Sequence, residues 1–287
     1  MDREVSQLNL ANIKDKKIAC LTLDVECDFG DLLAEPKYEG IKYIPGLVEF
    51  FKTKDLPLTC FIQGSLMETH SEYIDKLAEI NADCHLHSYS HPGPGKSDFE
   101  YEIKAGKVAY KEFFGCEPIG YRAPLGVISE EDLTLLAREG FKFDSSIFPS
   151  FRPGAFNNLN NQIEPYITKS GIVEIPFSVL SKWVRIPLSL SYIKLFGWPY
   201  RMAIKKCPLP HLIIFDFHLH DLFHLESLRY LTQQHFSPLY RYIYNKIYLN
   251  QKVDGLKLLE GFVDVLKESG YSFMKLSELY NLIVEDK

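Results

Sequence analysis

Short apolar runs alternate with amphipathic segments along most of the 287-residue chain. Apolar positions three or four residues apart predict helices, and short apolar runs bounded by turn residues predict buried strands. This repetition predicts parallel strands joined by helical crossovers, in a barrel or an open sheet. The predicted strands are residues 17–25, 56–63, 83–88, 119–123, 141–144, 212–219 and 272–276, and the predicted helices are residues 45–53, 73–81, 97–114, 129–139, 255–269 and one after 276.

The alternation stops between about residues 151 and 210. That segment contains clusters of Pro, Gly and Asn, a candidate strand at residues 171–177 and an apolar, aromatic stretch at residues 183–200. We interpret it as an insertion that covers the functional site, within a single domain spanning residues 1–287. Parallel strands present functional residues at their carboxyl ends, so the candidate chemistry is expected there.

Composition narrows the functional classes. A net charge of -6 and a pI near 5.9 argue against a protein that binds nucleic acid. Residues 1–17 lack the apolar core of a signal peptide, and no apolar stretch reaches the roughly 18 residues of a membrane span. The six cysteines are scattered without a C-x-x-C pair, which favours free thiols in a reducing compartment. We therefore expect a cytoplasmic protein.

The strongest chemical signal is the segment His85-Leu-His87-Ser-Tyr-Ser-His91. Two imidazoles four residues apart, at a strand end that runs into a turn, can converge on one divalent ion. The alternative is that these histidines are ordinary polar residues on a loop. Three histidines within seven residues disfavour that alternative. The segment therefore predicts a metal site that contains His87 and His91.

A metal that activates water also needs an anionic ligand and an open coordination position. The first predicted strand ends in Thr22-Leu-Asp24-Val-Glu26-Cys-Asp28. Because strand side chains alternate between faces, the three carboxylates share one face and Val25 lies on the other. Carboxylates at the end of an apolar strand are costly unless they meet a cation or move a proton, and a solvated strand end is the alternative.

Two later strand ends also carry polar residues. In Gly120-Tyr-Arg122-Ala-Pro124-Leu-Gly126, the arginine is suited to pair with a catalytic carboxylate and keep it ionised. The apolar run that begins at Leu212 ends in Asp216-Phe-His218-Leu-His220-Asp221, where alternate residues face one way. Together the four clusters fit a hydrolase, in which a carboxylate takes a proton from water and an imidazolium protonates the departing amine.

The order of these motifs resembles the polysaccharide deacetylase (NodB-homology, carbohydrate esterase) family. The shared features are an Asp-containing first strand, H-[ST]-x-x-H, R-x-P-x-G, an Asp-bearing fourth segment and a late strand ending in a histidine, and they extend from about Lys17 to Leu276. The resemblance implies a distorted (β/α) barrel and hydrolysis of N-acetyl or other N-acyl groups on amino sugars. It also implies a divalent metal, with Zn²⁺ as the expected ion.

The resemblance also implies roles by motif position. Asp24 matches the general base, His87 and His91 match the metal ligands, and Arg122 matches the residue that orients the base. The late strand supplies the general acid. The remaining candidates, expected to support the site or to contact substrate, are His85, Pro124, Asp144 and Asp221. For His85, a packed core histidine is an equal alternative.

The sequence departs from the common family pattern at two positions. The usual first motif, T-F-D-D-G, has a second Asp as metal ligand where this chain has Val25. A sub-group with D-V-E or D-V-D has a carboxylate two residues on, which implies Glu26 as the ligand and Asp28 as the alternative. The late motif matches the family either at His220 or at His218, and we favour His218 as the general acid.

Three functions remain open. The main hypothesis is metal-dependent removal of an N-acyl group from an amino sugar, in a glycan or in a lipid-linked or nucleotide-linked precursor. The second is metal-independent hydrolysis of a small amide such as an allantoin-like compound, and the third is glycan binding without catalysis. Aromatic and basic residues at 183–200 and 223–248 suit contact with a membrane interface, with packing onto the barrel as the alternative. The sequence does not indicate an oligomeric state.

Overall fold

The structure, a computed structural model, describes residues 7–92, 98–152, 156–231, 238–249 and 254–284. Within these ranges, nine strands form one curved sheet and two more form a separate ribbon. The strands are β1 Ile18–Val25, β2 Thr59–Ile62, β3 Asp83–Leu86, β4 Gly120–Tyr121, β5 Phe143–Asp144, β6 Phe151–Arg152, β7 Phe156–Asn157, β8 Tyr166–Ile167, β9 Val173–Glu174, β10 Leu212–His218 and β11 Ser272–Phe273.

Helices follow most of the strands. They are α1 Ala11–Lys14, α2 Ile44–Lys54, α3 Gly64–Thr69, α4 Ser71–Ile74, α5 Phe99–Phe114, α6 Glu130–Arg138, α7 Leu190–Phe196, α8 Trp198–Lys206, α9 Leu219–Leu222, α10 Pro238–Tyr244, α11 Gly255–Glu268 and α12 Leu276–Ile283. A π-helical turn, Asn245–Leu249, continues α10. Every strand predicted from the sequence is present, in shorter form at several positions.

The helix at residues 73–81 was predicted as one element, but the chain forms α4 followed by the 3₁₀ helix Asp75–Ile80. It ends at Asn81, whose φ of 49° is left-handed. By contrast, α5 begins where expected, because the Asp98 side chain accepts a hydrogen bond from Glu100 N–H at 3.0 Å. Ser97, the first residue of the predicted helix, lies outside the described residues.

The sheet order is β10-β1-β2-β3-β4-β5-β9-β8, with β11 pairing to the start of β1. All pairings within this sheet are parallel except that of β8 with β9. Beyond β9, Ser178 N–H donates to Ile214 O at 3.2 Å, which brings the curved sheet back towards β10. The prediction of a distorted (β/α) barrel is therefore confirmed. The segment interpreted as an insertion contributes β8 and β9 to this same sheet.

Residue alternation in β1 explains the layers. Ala19 and Leu23 pack outward in the larger apolar cluster, which includes Phe51 of α2 and Phe262 of α11. Cys20 points inward, into a second cluster closed at the amino-terminal end of the strands by α12. The inward positions become polar towards the carboxyl end of the strand, where the site lies.

Two further observations concern the cysteines and the length of the helices. All six cysteines are unpaired. Within the described ranges, no helix is both long enough and apolar enough to cross a membrane.

Candidate active site

The candidate base, acid, metal ligands and arginine meet at the carboxyl ends of the parallel strands, as this fold class predicts. Asp24 and His218 are direct partners in the register of β1 with β10. Five polar side chains form what we call the floor of a cavity of about 580 Å³, and these are Asp24, Glu26, Arg122, Asp216 and His218. Such a volume lies within the usual range of small-molecule sites.

Three potential metal ligands converge beside the floor. Glu26 Oε2 lies 3.0 Å from His87 Nε2 and 2.5 Å from His91 Nε2. His87 Nδ1 donates to Arg122 O at 2.8 Å, which leaves the lone pair of Nε2 directed at Glu26. His91 Nε2 is buried and has no well-oriented hydrogen bond to any described residue. Two imidazoles and one carboxylate are the donor set of many catalytic zinc sites, so these residues fit a zinc ion.

The charge of Glu26 suits this role. Burial alone would raise its pKa, but the adjacent His91 and His87 imidazoles outweigh burial and lower the pKa well below the usual range. Glu26 is therefore a carboxylate, as a metal ligand must be.

The other two clusters of possible ligands are less suitable. One combines Asp24, Asp216 and His218, but the Arg122 guanidinium already contacts both carboxylates. The other combines Glu26 and His218 with His220, whose Nδ1 accepts a hydrogen bond from Phe29 N–H at 3.2 Å. An imidazole that accepts at Nδ1 carries its proton on Nε2, which removes the lone pair that a metal needs there.

A buried glutamate that the sequence did not single out holds the histidine turn. Glu102 Oε2 accepts hydrogen bonds from Ser88 Oγ at 2.7 Å, Tyr89 N–H at 3.0 Å and Ser90 N–H at 2.7 Å. The turn needs this support because Ser88 and His91 both have left-handed φ angles, 62° and 56°. The sequence feature that could have indicated Glu102 is a carboxylate on the apolar face of α5, next to Ile103.

Asp28, the alternative ligand, is placed elsewhere. Its two carboxylate oxygens accept hydrogen bonds from the N–H groups of Glu39 and Gly40, both at 2.9 Å, and from Ser227 Oγ at 2.7 Å. Asp28 thus ties the loop after β1 to the segment after β10. It belongs to none of the three ligand clusters found among the described residues.

Arg122 is fully buried at the centre of the floor. Its Nη1 lies 2.6 Å from Asp24 Oδ1 and 3.0 Å from Asp216 Oδ1, and its Nε donates to Ser145 O at 2.8 Å. The guanidinium carbon lies 4.0 Å and 4.3 Å from the ring centres of Phe61 and Phe177. A flat cation held between two rings and hydrogen-bonded at its edge cannot turn away from Asp24.

Asp216 is a second carboxylate on the same guanidinium. Burial and the neighbouring Asp24 charge raise its pKa to about 7, although His218 and Arg122 act in the opposite direction. Arg122 therefore pairs with two buried carboxylates at once. The sequence indicated that Asp216 faces the site but assigned it no role.

His218 and His220 differ sharply in electrostatic environment. Burial opposes protonation of His218, but Asp216 and Asp221 outweigh burial and raise its pKa well above the usual value. Its Nδ1 lies 3.2 Å from Asp221 Oδ2, and its Nε2 faces Asp24 Oδ2 at 3.7 Å. For His220, burial and the nearby His218 charge lower the pKa to about 4. His218 is therefore the cationic imidazole at neutral pH and His220 the neutral one.

Asp144 lies beneath Arg122, paired with Glu174, a residue that the sequence analysis missed. Ser146 Oγ donates to Asp144 Oδ1 at 2.7 Å, and Ile147 N–H donates to Glu174 Oε1 at 2.9 Å. Burial and the adjacent Asp144 raise the pKa of Glu174 well above the usual range, so Glu174 holds a proton that it shares with Asp144. The pair supports the strand ends and does not contact the cavity.

His85 and Pro124 lie outside the floor. His85 is buried between the rings of Phe61 and Phe143, with Nε2 3.0 Å from Asp83 Oδ2. It is thus a packed core histidine. Pro124 begins a 3₁₀ turn, and the next residue, Leu125, lines the cavity.

Comparison with known proteins shows similarity to one family. The model of the polysaccharide deacetylase family matches residues 13–143. A peptidoglycan deacetylase of Helicobacter pylori is 28% identical over 167 residues, which are 57% of this chain and 50% of that protein. A peptidoglycan deacetylase-like protein of Gibberella zeae is 30% identical over 93 residues, which are 31% of this chain and 28% of that protein. The chain therefore spans half, or less, of the length of these curated relatives.

Solved structures share the fold. A proposed polysaccharide deacetylase of Mycobacterium smegmatis superimposes with a TM-score of 0.56 at 18% identity, covering 93% of this chain and 90% of that one. A family 4 carbohydrate esterase pseudoenzyme of Bacillus anthracis gives a TM-score of 0.52 at 13% identity, covering 93% and 66%. The matched region 13–143 includes the first strand, the histidine pair and Arg122, so the part of the chain that carries these site residues is similar to the polysaccharide deacetylase family.

Proposed function

We propose that the protein is a metal-dependent hydrolase that removes an N-acetyl, or another N-acyl, group from an amino sugar. The observation that carries this proposal is the convergence of Glu26, His87 and His91 beside a carboxylate fixed by Arg122 and a cationic His218. Glu26, Arg122 and His218 line the floor of one cavity. The names of the relatives, peptidoglycan deacetylases, point to the same substrate class.

Glu26, His87 and His91 would hold the metal, and Zn²⁺ fits their donor set. When bound, such an ion polarises the acyl oxygen and lowers the pKa of a coordinated water towards about 7. Glu26 is our choice over Asp28, since Asp28 already accepts three hydrogen bonds.

Asp24 is the proposed general base. Its Oδ1 is occupied by Arg122, whereas Oδ2 lies 3.7 Å from His218 Nε2. The contact with the guanidinium fixes the orientation of the second oxygen. Asp24 would take a proton from the water whose oxygen attacks the acyl carbon.

His218 is the proposed general acid. Its protonated Nε2 faces the floor, and Asp221 holds Nδ1. When the carbon–nitrogen bond breaks, the amine nitrogen needs a proton to leave, and His218 would give it. His220, being neutral and engaged by Phe29, is suited to contact substrate rather than to donate this proton.

The finer description of the substrate is also a proposal. We place the amino sugar in a glycan or in a lipid-linked or nucleotide-linked precursor, in the cytoplasm or peripherally at the inner face of the membrane. The six unpaired cysteines support a reducing compartment. Use of the product in glycan biosynthesis follows from that location.

Metal analysis of the purified chain, alongside acetate release from N-acetylglucosamine oligomers, tests the proposal. We expect about one zinc per chain, with Glu26→Ala and His91→Ala losing most of it and most of the activity. His224→Ala is the matched control, because His224 is exposed and outside every ligand cluster among the described residues. Unchanged zinc in both ligand variants would refute the metal assignment.

The same assay separates the alternatives. A zinc-loaded protein that releases no acetate from any amino sugar would be a binding protein, as the pseudoenzyme neighbour shows is possible for this fold. Hydrolysis of a small cyclic amide by zinc-free protein would instead favour the metal-independent amidase. The floor, with both an anchored base and a cationic acid, favours the deacetylase.

A further inference from the structure

The cavity above the floor has apolar walls. By walls we mean the cavity-lining side chains of the β6–β7 ribbon, of α7, and of α10 with its π-helical turn. The ribbon contributes Phe151 and Phe156, α7 contributes Leu195 and Phe196, and α10 contributes Leu239. A polar glycan chain, with hydroxyl groups on every ring, would leave its hydrogen bonds unmade against such walls.

Several wall residues are exposed to solvent. Phe151 is 55% exposed, Phe196 45% and Leu239 54%, although all three line the cavity. They are therefore not packing residues of the core. Large apolar side chains that remain in solvent around a functional cavity mark the place where an apolar ligand is buried.

A basic residue, Arg152, lies among these side chains. Arg152 lines the cavity next to Phe151 and is half-buried, and its guanidinium forms neither a hydrogen bond nor an ion pair with any described residue. A guanidinium in that position is suited to bind a phosphate through two hydrogen bonds.

The surface beside the cavity also combines basic with aromatic side chains. Residues 175–215 contain six Lys or Arg and no Asp or Glu, in a chain whose net charge is -6. The exposed face of α8 carries Trp198, Arg201 and Lys205, and α7 of the same segment forms part of the walls. Tryptophan beside basic residues is typical of surfaces that lie on anionic membranes.

We propose that the substrate is an amino sugar joined through phosphate to a hydrocarbon chain, with the sugar at the floor, the phosphate at Arg152 and the chain along the walls. This inference rests on the proposed deacetylase function and specifies its substrate. It uses three features of one cavity: apolar lining continuous with the floor, exposure of that lining, and a guanidinium without a partner among the described residues.

Chain length and phosphate can be varied separately in the test. The zinc-loaded protein is assayed for acetate release from N-acetylglucosamine as its methyl, octyl and farnesyl glycosides and as its farnesyl diphosphate, all below micelle formation. We expect kcat/KM to rise at least about tenfold from methyl to octyl, because each buried methylene adds a favourable transfer term. We expect at least about fivefold more from farnesyl glycoside to farnesyl diphosphate.

Variants locate the two subsites. Leu239→Asn and Phe196→Asn should lower the octyl-to-methyl ratio of kcat/KM at least about threefold. Val108→Asn, 56% exposed on the outer helix α5, should leave that ratio unchanged. Arg152→Gln should remove the gain from the diphosphate, and Arg138→Gln on α6 should not. Because each readout is a ratio within one variant, a partly misfolded sample does not mimic the effect.

The outcomes separate this inference from the proposed function. Equal kcat/KM for the methyl and octyl glycosides overturns the apolar subsite while the deacetylase function stands. Faster hydrolysis of methyl N-octanoylglucosaminide than of the octyl N-acetyl glycoside assigns the walls to the acyl group, which also overturns the inference. If neither acetate nor octanoate is released from any of these substrates or from the oligomers, the proposed function itself is wrong.

Discussion

At the floor, each charged group contacts another: Arg122 contacts Asp24 and Asp216, and His218 contacts Asp221. The walls differ, because Phe151, Phe196 and Leu239 line the cavity but remain partly exposed. The floor is thus ordered by the protein itself, whereas the walls are incomplete without a ligand. This difference indicates that the chemistry is fixed in advance and that the walls select the substrate.

The two regions also come from different parts of the chain. The floor is contributed by strand ends, mostly within residues 13–143, the range matched by the family model. The walls come from the segments between β5 and β10 and after β10, outside that range. Substitutions in the two regions should therefore have effects of different size and kind.

Removing the central cation of the floor should have the largest effect. In an Arg122→Met variant, Asp24 and Asp216 remain buried without their shared partner, and breaking a buried pair costs about 3–5 kcal/mol. We expect the free energy of unfolding to fall by about that amount and acetate release to fall at least about 100-fold. Urea denaturation and single-substrate kinetics measure the two effects.

The matched change in the walls is Phe151→Ser. Phe151 is 55% exposed, so its loss should change the free energy of unfolding by less than about 1 kcal/mol. If Phe151→Ser destabilised the protein as much as Arg122→Met, the contrast between an ordered floor and incomplete walls would be mistaken.

An intermediate effect is expected at Asp221, which contacts the proposed acid. Its carboxylate helps to raise the pKa of His218, so Asp221→Asn should lower that pKa. His218 must be protonated to act as an acid, and the alkaline limb of the pH–rate profile should therefore move to lower pH. The maximal rate should fall about 10- to 100-fold.

The control for the pH prediction is His220→Asn. The neutral His220 does not supply the acidic proton in our scheme, so its replacement should leave the position of the alkaline limb in place. A limb that moves in His220→Asn and stays fixed in Asp221→Asn would exchange the roles of the two histidines.

The sequence predicted the floor better than its supports. Alternation along one strand was enough to place Asp24 and Glu26 on a common face, because that geometry is local. Glu102 and Glu174 were missed because each acts on a segment brought near by folding: Glu102 holds the turn that contains Ser88, and Glu174 pairs with Asp144. The burial of both glutamates depends on tertiary packing, and the hydrophobic pattern of a single helix or strand does not reveal it.

The choice between Glu26 and Asp28 as the metal ligand also depended on tertiary packing. Glu26 and Asp28 are equivalent by alternation, and only the folded chain shows Asp28 occupied by Gly40 and Ser227. The short helices α3, α7 and α8 were also not predicted, since six to nine residues carry little periodicity. Because the walls lie largely on such short elements, the sequence analysis identified them only as an aromatic stretch.

The smallest effect is expected at the surface that adjoins the walls. Trp183 is 84% exposed and lies in the segment without acidic residues, so Trp183→Ser should leave stability unchanged. If that surface rests on a membrane, the variant should bind vesicles containing phosphatidylglycerol about three- to tenfold more weakly, measured by co-sedimentation. Tyr101→Ser on α5, also exposed, is the control and should bind as the unaltered protein does. Equal binding of all three proteins would confine the lipid contact to the cavity walls, since a substrate chain can enter the cavity without the protein resting on the bilayer.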